Sequence, residues 1–88
     1  MSADAGEIEQ FITRVLVDAF DAEEDGLGVD TTLRQLSIDS LGGVELSLAL
    51  KKEYGVSFVA GEIQVDFSVT DIAELVRSKQ RELGAVGS

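Results

Sequence analysis

The sequence predicts a small all-α domain from three observations. The chain has 88 residues without proline or cysteine, so its length allows one domain and no disulfide framework. Apolar residues recur at helical spacing in separate segments that carry capping signals at their ends. In residues 56–67 apolar side chains alternate with others, as they would in a β-strand. A single strand, however, has no second strand to pair with in such a helical chain. We therefore expect helices joined by loops.

The first helix is predicted from one apolar face near the amino terminus. Its members are Ile8, Phe11, Ile12, Val15, Leu16, Ala19 and Phe20. Asp4 and Glu7 are placed as a capping pair in front of it. The periodicity then lapses from Asp21 to Asp39, and a loop this long is usually functional or anchored by its own apolar residues. The candidate anchors are Leu27, Val29, Leu33 and Leu36.

Two further helices are predicted from their terminal residues. The second should begin near Asp39, whose carboxylate can accept backbone N–H groups, and end at Gly55. The last should begin at the capping sequence Ser68-x-x-Asp71 and carry apolar side chains as far as Leu83. Between them, residues 56–67 are expected to form a loop with a short helical turn. The domain should comprise residues 1–83, followed by a flexible tail of residues 84–88.

The charge and composition argue against several classes of function. Seventeen acidic and seven basic residues give a net charge of −10, and there is no histidine. This charge repels nucleic-acid phosphates and anionic lipid headgroups. Histidine and cysteine are both missing, so the chain has no imidazole or thiol to act as a neutral-pH base, a nucleophile or a metal ligand. We expect a monomer that is not an enzyme, has no metal site and binds neither nucleic acid nor membrane. Its amino terminus lacks signal-peptide features, so we expect a cytoplasmic location.

Ser40 lies where the second helix should begin, within the segment Leu36-Ser37-Ile38-Asp39-Ser40-Leu41. A negatively charged group attached there would be stabilised by the positive end of the helix dipole. No histidine or Ser-x-x-Lys arrangement accompanies Ser40, so it needs an outside enzyme to become a nucleophile. Considered alone, an Asp-Ser pair is most often only a helix cap.

The residues that follow resemble the acyl carrier proteins. The shared pattern is Asp39-Ser40-Leu41-x-x-Val44-Glu45-Leu46, followed by Leu50 and Tyr54. The resemblance extends from about residue 8 to residue 83 and implies a four-helix bundle with three main helices, one short helix and a long first loop. It also implies that a phosphopantetheinyl transferase esterifies Ser40, between Asp39 and Leu41, with the 4′-phosphopantetheine of coenzyme A. The thiol of this arm would carry acyl groups as thioesters.

The function implied by the resemblance is that of a discrete acyl carrier protein in fatty-acid, polyketide or related secondary-metabolite biosynthesis. Besides the transferase, its partners would be the acyltransferase, ketosynthase or acyl-activating enzymes of the pathway. Met1 and the short tails favour a free-standing protein. A peptidyl or aminoacyl carrier protein is the nearest alternative.

The second helix carries two apolar stripes. Leu46, Leu50 and Tyr54 form one stripe, and Leu41, Val44 and Leu48 form the other. Both could pack inside, as apolar helix residues mostly do. The resemblance favours a second stripe that, together with Glu45, flanks the arm and docks on partner enzymes.

Three features depart from the acyl carrier pattern. Lys51 and Lys52 occupy a turn that is typically acidic in fatty-acid carriers. Their positive charges suit a helix C-terminus, but they would also penalise docking on a basic patch.

Gly42 and Gly43 replace polar or acidic residues, at a cost to the helix of about 1 kcal/mol each relative to alanine, and leave the backbone open to close approach. Val59 replaces a proline, which weakens the prediction of the short helix.

The acidic first loop suggests a competing hypothesis of calcium binding. Asp21-x-Glu23-x-Asp25-Gly26 has oxygens at the first, third and fifth positions of an EF-hand loop. Thr32 stands at the twelfth position, where a bidentate glutamate is required, and no second loop exists to pair with it. A solvated acidic loop is the simpler interpretation.

Overall fold

Three α-helices form most of the structure, which is a computed structural model describing residues 5–23, 25, 27–28, 30–59 and 61–87. They are α1 (Ala5–Phe20), α2 (Ser40–Tyr54) and α3 (Val69–Gly87), and a 3-10 helix spans Arg34–Leu36. The described residues contain no strand beyond an isolated antiparallel bridge between Thr32 and Ser68. None of their helices is long and apolar enough to cross a membrane. The prediction of an all-α bundle is confirmed.

Both ends of α2 follow the predicted capping signals. Asp39 is the N-cap, and its Oδ1 accepts the N–H of Gly42 at 3.0 Å. Gly55 ends the helix in the left-handed conformation, with φ of 71°, and its N–H donates to the carbonyl of Lys51 at 2.8 Å. Glycine adopts this conformation without the steric penalty that a Cβ atom would bring. The position of Ser40 at the start of α2 is therefore encoded locally.

The start of α3 is a reciprocal capping box. The N–H of Ser68 donates to Asp71 Oδ2 at 3.1 Å, and the N–H of Asp71 donates to Ser68 Oγ at 3.2 Å. The helix then runs to Gly87, so the backbone of residues 84–87 is helical; the flexible tail of residues 84–88 stays a prediction. Asp4, one member of the predicted capping pair of α1, lies outside the described residues.

All three α-helices and both loops contribute to the hydrophobic core. Its buried apolar members are Ile8, Ile12, Leu16, Leu33, Ile38, Leu46, Leu50, Val56, Ile63, Val69, Ile72, Ala73 and Val76. Of the predicted loop anchors, Leu33 is fully buried and Leu27 and Leu36 are partly buried. Val29 lies outside the described residues. The first loop is thus held onto the bundle by Leu33 and Ile38, and the acidic residues of it that the structure describes are exposed.

The short helix lies elsewhere than predicted. In the described part of the second loop, residues 55–59 and 61–68, no helical segment forms. Two hydrogen-bonded turns are found instead: the N–H of Glu62 donates to the carbonyl of Val59 at 3.1 Å, and that of Phe67 donates to Gln64 at 3.0 Å. Val59 cannot pre-set φ as a proline would at a helix start. A short 3-10 helix is found in the first loop instead, at Arg34–Leu36.

Backbone hydrogen bonds join the turn at residues 65–67 to the first loop. The N–H of Leu33 donates to the carbonyl of Phe67 at 3.2 Å, and the N–H of Arg34 donates to that of Val65 at 2.8 Å. The side chains of Arg34 and Asp66 add an exposed ion pair of 2.8 Å. The described part of residues 56–67 forms no strand, as predicted, and its last residues are held by these contacts with the first loop.

Candidate functional site

Ser40 is an exposed residue in the first turn of α2. The first N–H groups of a helix have no acceptor within the helix, and the Asp39 side chain supplies one of the missing acceptors, while its carbonyl accepts the first regular helical bond. Its carboxylate accepts the N–H of Gly42, and its carbonyl accepts the N–H of Gly43 at 3.1 Å. Ser40 therefore sits at the positive end of the helix dipole, where an attached phosphodiester is favoured.

The hydroxyl of Ser40 is not activated by the described part of the chain. It forms no hydrogen bond to any described residue, and the sequence has no histidine or cysteine to act as a neighbouring base. An unactivated serine is a poor nucleophile. The site can present this hydroxyl to an enzyme, and the base has to come from that enzyme.

Gly42 and Gly43 allow two segments to approach the first turn of α2. A Cβ atom on Gly42 would overlap the Ile38 methyl group and lie 3.1 Å from Phe20 Cε1. A Cβ atom on Gly43 would lie 3.1 Å from the carbonyl oxygen of Ile63. Close approach was expected from the two glycines, but Phe20 and Ile63 could not be identified from the sequence because they lie about 20 residues away along the chain.

A narrow cleft lies beside Ser40, between α2 and the second loop. Ser40, Gly43 and Val44 line one wall, and Val59, Gly61 and Ile63 line the other. Its volume is about 10 Å³, which is close to the space that one water molecule needs. The cleft as it stands therefore has room for no more than about one water molecule.

The two apolar stripes of α2 differ in exposure. Leu46 and Leu50 are buried, whereas Leu41 and Leu48 are 66% and 61% exposed, and Val44 is exposed as well. Glu45 is exposed among them, and we call Leu41, Val44, Glu45 and Leu48 the α2 face. Most apolar side chains of this size are buried in small domains, so a cluster left in solvent next to Ser40 is typical of an interaction surface.

Lys51 and Lys52 are exposed in the last turn of α2. Neither forms an ion pair with a residue that the structure describes. Their charges are favourable at the negative end of the helix dipole. They also place positive charge at the end of α2 opposite Ser40.

A known protein family matches the part of the chain that contains Ser40 and α2. The family described as "Phosphopantetheine attachment site" matches residues 10–78, which is more than three quarters of the chain. The chain belongs to this phosphopantetheine-binding carrier family. The resemblance to phosphopantetheine-binding carrier proteins is thus confirmed. The cofactor of this family is a covalently attached 4′-phosphopantetheine group.

The residues at the start of α2 fit the prosthetic group of this family. An exposed serine hydroxyl can form the phosphodiester, and the helix dipole favours the negative charge of its phosphate. Once attached, the group supplies a thiol, which this cysteine-free chain lacks. Ser40 as the attachment point, with Asp39 and Leu41 beside it, stays a prediction.

The acidic first loop does not form a metal site in the described structure. No group of three or more carboxylates among the described residues lies close enough to hold a metal ion. Glu24 and Gly26, which belong to the calcium-binding hypothesis, lie outside the described residues. The described carboxylates of this loop, Asp21, Glu23, Asp25 and Asp30, are exposed, as expected for a solvated acidic loop.

Proposed function

We propose that this chain is an acyl carrier protein that holds acyl intermediates as thioesters on a 4′-phosphopantetheine arm attached to Ser40. The observation that carries the proposal is the exposed, unactivated hydroxyl of Ser40 in the first turn of α2, within a chain of the carrier family. In this role the protein is not an enzyme. It presents a hydroxyl for modification and then presents the cargo to pathway enzymes.

The modification requires a chemical step at Ser40 Oγ. This oxygen forms a bond to the phosphorus of coenzyme A that bears the pantetheine arm, and the bond from that phosphorus to adenosine 3′,5′-bisphosphate breaks. The hydroxyl proton passes to a base of the phosphopantetheinyl transferase, because the chain has no histidine or cysteine. Asp39 holds the first turn of α2 in place through the N–H of Gly42.

The α2 face is the surface that we assign to partner docking. Leu41, Val44 and Leu48 provide exposed apolar contacts close to Ser40, and Glu45 provides a charge among them. Pathway enzymes must reach the arm near Ser40, so an adjacent apolar surface supplies contact area where it is needed. The partners are a phosphopantetheinyl transferase and acyltransferase, ketosynthase or acyl-activating enzymes.

Lys51 and Lys52 suggest which of these enzymes are excluded. A partner that places a basic patch against the end of α2 would meet like charges there, and such contacts penalise association. We therefore assign the chain to a dedicated secondary-metabolite pathway rather than to general fatty-acid synthesis. The acidic first loop remains available for long-range attraction of basic partners.

Acyl cargo is favoured over aminoacyl cargo by the resemblance of the α2 start, Asp39-Ser40-Leu41, to acyl carriers. Intact mass spectrometry of the protein purified from its own host tests this assignment. We expect the mass of one phosphopantetheine and, in part of the sample, an acyl group without amino nitrogen. Aminoacyl or peptidyl cargo would contradict the assignment, and Ser40→Ala from the same host provides the unloaded control.

A further inference from the structure

Lys79 of α3 holds the second loop through two contacts. Its Nζ atom lies 2.9 Å from Glu62 Oε2 and 5.0 Å from the centre of the Phe58 ring. The side chains of Lys79 and Glu62 are only 20% and 26% exposed. Ion pairs and cation–π contacts are stronger when solvent is largely excluded. We call Phe58, Glu62 and Lys79 the loop clamp.

The carboxylate of Glu62 also fixes the turn that it belongs to. Its Oε1 atom accepts the N–H of Val59 at 3.1 Å, and the carbonyl of Val59 accepts the N–H of Glu62 at 3.1 Å. The hydrogen bond from Lys79 lowers the pKa of Glu62, so the carboxylate is charged at neutral pH. One side chain therefore joins α3 to both ends of the turn 59–62.

This turn contributes a wall of the cleft beside Ser40. Val59, Gly61 and Ile63 line the cleft opposite α2. Val59 is 74% exposed, so burial in the core does little to hold it in place, and a Cβ atom on Gly61 would contact nothing within 4 Å. The position of Val59 therefore depends on the hydrogen bonds within the turn 59–62 and on the loop clamp.

We propose that Lys79 and Glu62 are positioning residues for the site at Ser40. They hold Val59 across the cleft from Val44, where it extends the apolar surface of the α2 face around Ser40. An enzyme that modifies Ser40 or handles its cargo contacts this two-sided surface rather than α2 alone. The inference rests on the proposed function, because the surface matters only if enzymes act at Ser40.

The first test measures the loop itself. Lys79→Met removes the charge and keeps the length of the side chain, Lys79→Arg keeps the charge, and Arg34→Gln breaks the exposed Arg34–Asp66 pair as a matched control. We expect ¹⁵N order parameters at residues 59 and 61–63 to fall in Lys79→Met to about 0.6 or below, the range of flexible backbone. They should stay near the wild-type values in Lys79→Arg and Arg34→Gln. Unchanged values in Lys79→Met would overturn the proposal.

The second test measures transferase kinetics with the same variants. A loop that is in place for only about half of the time doubles the apparent KM, so we expect Lys79→Met to raise KM about twofold or more with kcat unchanged. Lys79→Arg should restore KM. Val59→Ser should raise KM without loosening the turn. The proposal would be overturned if KM rose equally in Arg34→Gln. It would also be overturned if KM failed to rise in Lys79→Met, or failed to rise in Val59→Ser.

The two proposals fail in different ways. A wild-type chain that no transferase modifies contradicts the proposed function itself, and the docking role of Val59 fails with it. The order parameters then still decide whether Lys79 holds the turn. A wild-type chain modified normally, with Lys79→Met indistinguishable from it in either test, overturns the role of the clamp alone.

Discussion

Gly42 and Gly43 show how single residues shape the first turn of α2. Helix propensity disfavours both, yet each lies where a side chain would press on a neighbouring segment, Ile38 and Phe20 for Gly42 and the Ile63 carbonyl for Gly43. Space for packing therefore outweighs the loss of about 1 kcal/mol in helix propensity at each position. Ser40 is held by a helix start that packs closely on both loops.

Gly42→Ala should destabilise the protein despite its better helix propensity. Overpacking costs about 1–3 kcal/mol, against a gain of about 1 kcal/mol from propensity, so we expect a net loss of up to about 2 kcal/mol. Urea unfolding at neutral pH measures it. Gly43→Ala should lose less, since its Cβ atom would have only the Ile63 carbonyl at close range. A Gly42→Ala variant more stable than the wild type would contradict this packing.

The ion pair of Glu62 and Lys79 should make a pH-dependent contribution to stability. The pKa of Glu62 in the folded protein lies below its ordinary value of 4.5, chiefly because of the hydrogen bond from Lys79. Because this pKa is lower in the folded than in the unfolded state, ionised Glu62 stabilises the fold at every pH above its unfolded-state pKa. The contribution is lost as the pH falls from there through the folded-state pKa. Glu62→Gln should cost about 0.5–1 kcal/mol at neutral pH.

Unfolding of the wild type and Glu62→Gln across pH checks this prediction. The difference should be constant above about pH 5 and should shrink below pH 4.5, the ordinary pKa. Asp66→Asn, which breaks the exposed pair with Arg34, is the control and should cost little at neutral pH. A difference that grows on acidification would show that the sign is wrong.

The helices and loops differ in how far the sequence could predict them. The ends of α2 and the start of α3 depend on residues within one turn, such as Asp39, Gly55 and Ser68, so local signals were sufficient. The pairing of Arg34 with Val65 joins segments about 30 residues apart and has no local pattern. The two stripes alone left the exposure of the α2 face open, and the resemblance to acyl carriers favoured it. The exposed apolar side chain of Val59 could not be placed beside this face without the structure of the second loop.

At the scale of α2, the final turn should influence partner choice. We expect the double variant Lys51→Glu, Lys52→Glu to be acylated faster by general fatty-acid synthase enzymes, by up to about tenfold at low salt, where charge dominates association. Its own pathway enzymes should act on it more slowly. Lys51→Gln, Lys52→Gln separates loss of positive charge from gain of negative charge. If the wild type already serves a general malonyl transferase well and neither variant changes the rate, the lysines serve only the helix end.

The charge of the whole molecule is unevenly distributed along the chain. Residues 1–45 contain eleven acidic and two basic residues, a net of −9, whereas residues 46–88 contain six acidic and five basic residues, a net of −1. Like charges concentrated in α1 and the first loop repel one another in the folded state. The same field can attract basic partners from a distance, so attraction of partners and stability are in conflict.

Salt and millimolar magnesium should therefore raise the melting temperature. Ions screen this self-repulsion, and each kcal/mol of repulsion relieved should raise the midpoint by about 4–8 °C in a domain of this size. Thermal unfolding from low to physiological sodium chloride is the measurement. Ordinary surface ion pairs would weaken with salt, so a flat or falling midpoint would contradict the role given to the acidic charge.

Modification of Ser40 by a transferase tests the central claim most directly. The wild type, Ser40→Ala and Ser47→Ala are each incubated with coenzyme A, magnesium and a broad-specificity phosphopantetheinyl transferase, and their intact masses are measured. Ser47 is the matched control because it also lines the cleft and lies two turns further along α2. We predict one phosphopantetheine on the wild type and on Ser47→Ala, and none on Ser40→Ala. Modification that persists in Ser40→Ala, or a wild type that several transferases leave unmodified, would contradict the account.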